Sequence, residues 1–174
     1  MLCERNVLIA VIQRVSSGEV RIKGKSRGKI GEGLVVLLGV ADDDQKRDAE
    51  WLADKIVNMR IFEDDQDKMN LSLLDIGGNV LVISQFTLIA DYKRGRRPGF
   101  TRAAKPEEAN ELYEYFMDQI WMKDIQVEKG EFRTEMQVSI MNEGPVTMVL
   151  DSTVKFPRSP GVSSRPESMD SKLS

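Results

Sequence analysis

Hydrophobic and polar positions change their period several times along this chain, and each change marks an element. Apolar residues crowd Val7–Val15, and Glu19–Lys23 alternates after Ser16-Ser17-Gly18, which predicts a first hairpin turning at the serines. GEGLVVLLGVA, Gly31 to Ala41, carries a continuous apolar run between glycines, as in a strand buried on both faces. Past Asp42–Asp44 the period becomes helical: Ala49, Leu52, Ala53, Ile56 and Met59 share a face, the aspartates are candidate caps, and Lys55 and Arg60 suit the C-terminal end. NVLVISQFTLIA, Asn79 to Ala90, returns to strand character after Gly77-Gly78. Alternation there puts Ser84, Phe86 and Leu88 on one face and Gln85, Thr87 and Ile89 on the other. Pro106 suits the first turn of a second helix, with Ala109, Leu112, Tyr113, Phe116 and Ile120 as its apolar face through about Trp121. Thr134–Met141 and Val146–Val154 read as the last two strands. Between them Asn142-Glu143-Gly144-Pro145 interrupts the pattern. Proline brings no amide hydrogen to a ladder and these residues favour turns, so a hairpin is the plainest reading. The order of elements favours α+β over a regular βα alternation, with no internal repeat.

Composition narrows the picture. A chain of 174 residues fits one domain, able to bury roughly two-thirds of its unfolded surface. No apolar run approaches the ~20 residues of a membrane helix. The opening MLCERNVLIA lacks the basic start and long apolar core of a secretory signal, so a cytoplasmic protein that does not span a membrane is expected. After Phe156 the sequence turns to serine and proline. Residues 1–156 are therefore read as the domain and 157–174 as a disordered tail. The single cysteine, Cys3, forms no internal disulfide and supplies no zinc-thiolate site.

The most informative absence is histidine, of which there is none. Ser-His-Asp and Cys-His nucleophile systems and the helical zinc-protease motif are thereby excluded. Glu63, Asp64, Asp65 and Asp67 are the remaining acidic cluster, but FEDDQDKMN lacks calcium-loop spacing and its closing glutamate, so it reads as a solvated loop and no metal or cofactor is expected. The net charge is −3, yet DYKRGRRPGFTR gathers Lys93, Arg94, Arg96, Arg97 and Arg102 in a glycine-containing loop able to follow a phosphate backbone, with Tyr92 and Phe100 offering faces to a base or ribose. A merely solvated charged loop is the alternative. Thr87 has no visible activating base, which argues against nucleophilic catalysis by its hydroxyl alone.

Two stretches gain meaning together. SQFTLIA, from Ser84, and NEGPVT, from Asn142, resemble the two signature motifs of the D-aminoacyl-tRNA deacylases, which cleave wrongly attached D-amino acids from tRNA. The likeness runs from AVIQRV at Ala10 to LDS near Ser152. It implies a single domain of mixed and antiparallel sheet forming a barrel-like core with two main helices. It implies a homodimer in which the cis Gly144-Pro145 peptide of each subunit enters the other's active site. There its carbonyls would bind the substrate's α-amino group and leave no room for an L side chain, while glycine would pass, so that glycyl-tRNA becomes a further substrate. By the same resemblance Gln85 and Phe86 contact the terminal adenosine or ester, main-chain amides near Phe86 and Thr87 stabilise the oxyanion, and the tRNA 2′-hydroxyl assists cleavage in place of a side-chain base. Thr87 stands where a nucleophile has been proposed, and a positioning role is favoured here. Arg14 of the QRV motif would brace the neighbouring subunit's Gly-Pro carbonyls, with Ser84, Asn142 and Thr147 in support. The basic loop Lys93–Arg102 becomes a tRNA-backbone contact. Met1–Ile9 and the tail depart from the family pattern. Two alternatives stay open: a non-catalytic RNA-binding protein, and the same fold with a trans Gly-Pro and relaxed chirality.

Overall fold

The computed structural model describes residues 7–158, so expectations for Cys3 and for the tail from residue 159 lie outside the described residues. The elements are β1 (Ile9–Ile22), β2 (Lys25–Ile30), β3 (Gly33–Gly39), α1 (Lys46–Asn58), β4 (Phe62–Glu63), β5 (Met69–Leu71), the single-turn α2 (Leu73–Ile76), β6 (Asn79–Ser84), α3 (Pro106–Trp121), β7 (Val127–Lys129) and β8 (Gln137–Asp151). The α+β class holds, with α1 and α3 as the two main helices, and α3 occupies the predicted span. None of the helices among the described residues is long and apolar enough to cross a membrane.

One long strand organises the sheet. Along one edge β1 pairs antiparallel with β8 over nearly its full length; along the other it pairs first with β3, through residues 9–15, and then with β2, through residues 18–22. The hairpin expected at Ser16-Ser17-Gly18 is therefore not there. Those residues mark the change of partner, and Ser16 is an extra residue between Val15↔Asn142 and Ser17↔Met141. The reversal comes later, at Lys23 and Gly24, both with positive φ, as a two-residue hairpin between Ile22 and Lys25 requires.

β3–β6 and β6–β7 are parallel pairs, and parallel neighbours need a crossover. α1 supplies the first and α3 the second. Leu34, Val36 and Leu38 of β3, with Val80 and Val82 of β6, pack against Leu52, Ile56 and Phe116 of the helices. Val35, Leu81 and Ile83 point the opposite way, into a smaller core with Val15, Val20 and Ile30. That two-sided burial is why β3 and β6 are apolar at successive positions. The smaller core lies inside a nearly closed barrel. β2 comes so near β7 that a Cβ on Gly28 would stand 2.9 Å from the Lys129 carbonyl oxygen.

Three further expectations change. α1 begins at the Gln45 cap in a capping box with Asp48, rather than at Asp42–Asp44, because Asp44 is already committed to the Leu8 and Ala41 amides. The strand expected through Ala90 ends at Ser84: Gln85 makes its last ladder contact to Leu38, and Phe86–Ile89 coils into a 3-10 turn, which removes the alternating faces. The last two strands are one. β8 keeps its direction through Asn142–Pro145 and both halves pair with β1, so the predicted hairpin is a bulge.

Candidate active site

The bulge is built by register. Gln13 faces Thr147 and Val15 faces Asn142, so Arg14 alone stands opposite residues 143–146. The surplus backbone must leave the sheet plane, and Glu143, Gly144 and Pro145 are exposed. Gly144 has φ +121, and the Gly144-Pro145 peptide is cis. A Cβ at Gly144 would stand 2.9 Å from both Arg14 Nη2 and Val146 Cγ2. Both conformation and space thus require a residue without a side chain.

Arg14 holds this bulge from beneath. It is 7% exposed, donates from Nε to the Glu143 carbonyl at 3.2 Å and from Nη1 to the Ile61 carbonyl at 2.9 Å, and has Nη2 3.7 Å from the Glu63 carboxylate. Within one chain, then, Arg14 braces the bulge of its own β8. Asn142 closes the loop by donating Nδ2 to the Val146 carbonyl at 3.1 Å, and Gln13 donates Nε2 to Thr147 Oγ1 at 3.1 Å. Of the residues that build this bulge, sequence reasoning named Arg14, Asn142 and Thr147, named Glu63 only as part of a solvated acidic loop, and missed Gln13 and Ile61. Gln13 was legible only as part of QRV, and the Ile61 contribution is a backbone carbonyl, which residue type does not signal.

The second motif stands at the end of β6. The Gln85 amide donates to the Leu38 carbonyl at 2.7 Å, which anchors the turn to β3, and Gln85 Nε2 donates to Thr87 Oγ1. Ser84 and Gln85 are half-buried, whereas Thr87 is exposed and Phe86 is 56% exposed, unusually open for an aromatic ring. Part of the Phe86 ring is covered by Phe100, at 5.0 Å between centroids and 70° between planes. Phe100 belongs to the basic loop, so the turn and the loop form one surface. Reciprocal 2.7 Å hydrogen bonds between Asp91 and Gly99 close the loop. Lys93, Arg94, Arg96 and Arg97 are exposed, Arg102 is half-buried at its foot, and Arg94, Arg96 and Arg97 form no ion pair among the described residues.

The structure does not bring the two motifs together in one chain. Gln85 leaves the sheet beside Leu38, opposite Ala10, whereas Arg14 lies farther along β1 and the bulge lies on the far side of that strand. Rises of ~3.3 Å per residue and strand spacings of ~4.8 Å separate them by roughly 15–20 Å. Neither motif carries a side chain suited to neutral-pH proton transfer, and no group of His, Cys, Asp or Glu with metal-holding geometry occurs among the described residues. Asp64 illustrates how the acidic loop satisfies itself. Its carboxylate accepts from Asn70 Nδ2 and from the Lys68 and Gln66 amides, which hold it below the usual carboxylate range.

Comparison with known proteins gives a consistent result. The family model described as D-Tyr-tRNA(Tyr) deacylase matches residues 11–151. A D-aminoacyl-tRNA deacylase of Geotalea daltonii is 55% identical over 148 residues, 85% of this chain and 99% of that protein. One from Clostridioides difficile is 54% identical over 147 residues, covering 84% and 99%. The solved structure of a protein named c-Myc DNA Unwinding Element Binding Protein superposes with TM-score 0.76 at 36% identity, covering 82% of this chain and 97% of the other. A probable eukaryotic D-amino acid tRNA deacylase shares the fold with TM-score 0.73 at 16% identity, covering 83% and 99%.

Proposed function

The chain belongs to the D-Tyr-tRNA(Tyr) deacylase family, and from that premise we propose that it hydrolyses the ester joining a D-amino acid to tRNA, as a homodimer with two composite sites. The observation that carries the composite site is the exposed bulge at Gly144-Pro145, with no side chain at Gly144, braced by buried Arg14 yet far from the Gln85–Thr87 turn of the same chain. Two copies that exchange bulges bring both motifs to one place.

Each residue then has a physical task. Gly144 and Pro145 present main-chain carbonyls to the substrate's ammonium group, and the crowded backbone excludes an L side chain while a D side chain points to solvent. Selection is by rejection of the wrong hand, so many D-amino acids are accepted and glycyl-tRNA, with nothing to reject, is cleaved as well. Gln85 and Phe86 receive the terminal adenosine, Phe86 offering its exposed ring for stacking. The first amides of the 3-10 turn, at Phe86 and Thr87, have no intrahelical acceptor and serve the developing oxyanion. Thr87, with Gln85 donating to its hydroxyl, positions rather than attacks. The tRNA 2′-hydroxyl supplies the proton handling for which neither motif offers a histidine. Lys93, Arg94, Arg96, Arg97 and Arg102 take the backbone phosphates.

A second reading, nucleic-acid binding without cleavage, draws on Arg94, Arg96 and Arg97, which form no ion pair among the described residues, and on the DNA binding named for the structural relative at 36% identity. Release of labelled amino acid from D-tyrosyl-tRNA and L-tyrosyl-tRNA, side by side and with EDTA, separates the readings. Rapid loss of the D ester alone supports chiral editing. Loss of both contradicts the filter, and loss of neither leaves the binding reading.

A further inference from the structure

The last described residues follow β8 and extend beyond 151, where the family match ends. They are held at three points. Ser152 donates its amide to the Leu8 carbonyl at 3.2 Å, the Phe156 ring receives the Arg47 guanidinium of α1 at 4.9 Å, and Arg158 reaches the start of α1. There Arg158 Nη2 lies 3.0 Å from both Asp44 Oδ1 and Asp48 Oδ2, and Nη1 donates to the Asp43 carbonyl. Both carboxylate side chains are at 0% exposure. Two buried carboxylates side by side are unfavourable unless a cation joins them, and here the single nitrogen Nη2 serves both.

What Asp44 holds gives this contact its consequence. Its oxygens accept the Leu8 and Ala41 amides, each at 2.7 Å. Ala41 pairs with Ala103, the Asp42 amide donates to the Arg102 carbonyl at 3.1 Å, and the Ala104 amide donates to the Val40 carbonyl at 3.0 Å. Arg102, Ala103 and Ala104 are the downstream foot of the basic loop. An unbroken run of polar contacts therefore leads from Arg158 through Asp44 and the Ala41-Asp42 backbone to the base of the proposed phosphate-binding segment. Arg158 itself sits behind that surface, at the opposite end of the run.

We infer that Arg158 is a positioning residue for tRNA binding, fixing the foot of the Lys93–Arg102 loop through Asp44 so that the loop arginines face the phosphate backbone together. The inference rests on the reading of that loop as the tRNA contact. Arg158→Met is the direct test, with Arg158→Lys as the variant that keeps the charge. For Arg158→Met, KM for D-tyrosyl-tRNA and Kd for uncharged tRNA rise roughly five- to tenfold, the scale of one or two phosphate contacts, while kcat stays within twofold. Arg158→Lys recovers at least half of the loss. Hydrogen exchange at the Asp42 and Ala104 amides accelerates in Arg158→Met while that of β6 does not, a readout independent of catalysis. A variant that melts earlier but keeps wild-type Kd and wild-type exchange at those amides overturns the inference and leaves Arg158 a stability contact. Wild-type protein that binds tRNA without cleaving it defeats the deacylase reading and leaves this one standing on Kd and exchange. Wild-type protein that binds no tRNA defeats both.

Discussion

The proposed chiral filter rests on the backbone conformation of one position, Gly144. Its φ of +121 is a region other residues enter at a cost of order 1–3 kcal/mol, and an added methyl meets Arg14 Nη2 and Val146 Cγ2 at 2.9 Å. Gly144→Ala is therefore expected to lower stability by about 1–3 kcal/mol and kcat/KM for D-tyrosyl-tRNA by at least tenfold. Denaturant melts and a single-turnover assay check it, and full activity with full D/L discrimination sinks the proposed filter. Arg14 makes the complementary case. Its planar fork serves two carbonyls and faces Glu63 at once, which the compact ammonium of lysine does not reproduce. Arg14→Lys should keep the fold but loosen the bulge, narrowing D/L discrimination several-fold, measured as the ratio of the two hydrolysis rates. An unchanged ratio means that Arg14 packs the barrel without setting the filter.

At the scale of elements, legibility followed burial. α1 and α3 were readable because Leu52 and Ile56, and Leu112 and Phe116, bury one stripe of each helix against β3 and β6, and a 3.6-residue period survives in sequence wherever one face is buried. β3 was readable for the complementary reason, being apolar on both faces. The turns were not. Ser16-Ser17-Gly18 has turn composition, but it serves a strand that changes partners, and pairing partners are non-local information. Asn142–Pro145 likewise looks like a hairpin until β1 is seen to be long enough to pair both halves of β8. Of the site, the motifs themselves were legible as words, whereas their separation within one chain followed only from the register. The contact joining Phe86 to Phe100 was also hidden, because the two rings come from different elements. It makes a quantitative claim testable: edge-on aromatic pairs contribute about 0.5–1.5 kcal/mol beyond burial. Phe86→Ala and Phe100→Ala should each raise KM for the aminoacylated tRNA, and the double variant should fall short of the sum by about that amount. Strict additivity would mean that the turn and the loop act independently.

At the scale of the whole molecule, the exposed Arg94, Arg96 and Arg97 of the basic loop contrast with an acidic pair, Asp44 and Asp48, that is buried and met by Arg158. Burial pushes the Asp44 carboxyl up to about 7, against the lowering influence of the Ala41 amide, Arg158 and the Leu8 amide, with Asp48 raising it further. Asp48 faces it from α1 and Arg158 from the C-terminal segment, while Lys46, Glu108 and Glu111 line the adjoining cleft. In the unfolded chain the same carboxyl titrates near 3.9. A pKa raised on folding means that the native state holds the proton more tightly. The associated stability is thus complete below pH ~4 and is lost as pH rises through about 7, the reverse of an ordinary carboxylate. Removing Arg158 takes away a lowering influence and moves the native value higher still. The melting temperature of Arg158→Met should accordingly lie close to wild type at pH 5 and fall away at pH 8. Each further unit costs ~1.4 kcal/mol, or about 2–4 °C for a domain of this size. Scanning calorimetry of both proteins at the two pH values decides the matter. A gap that is equal at pH 5 and pH 8, or larger at pH 5, would show that Arg158 contributes through packing and backbone contacts, and that the buried Asp44 charge does not depend on it.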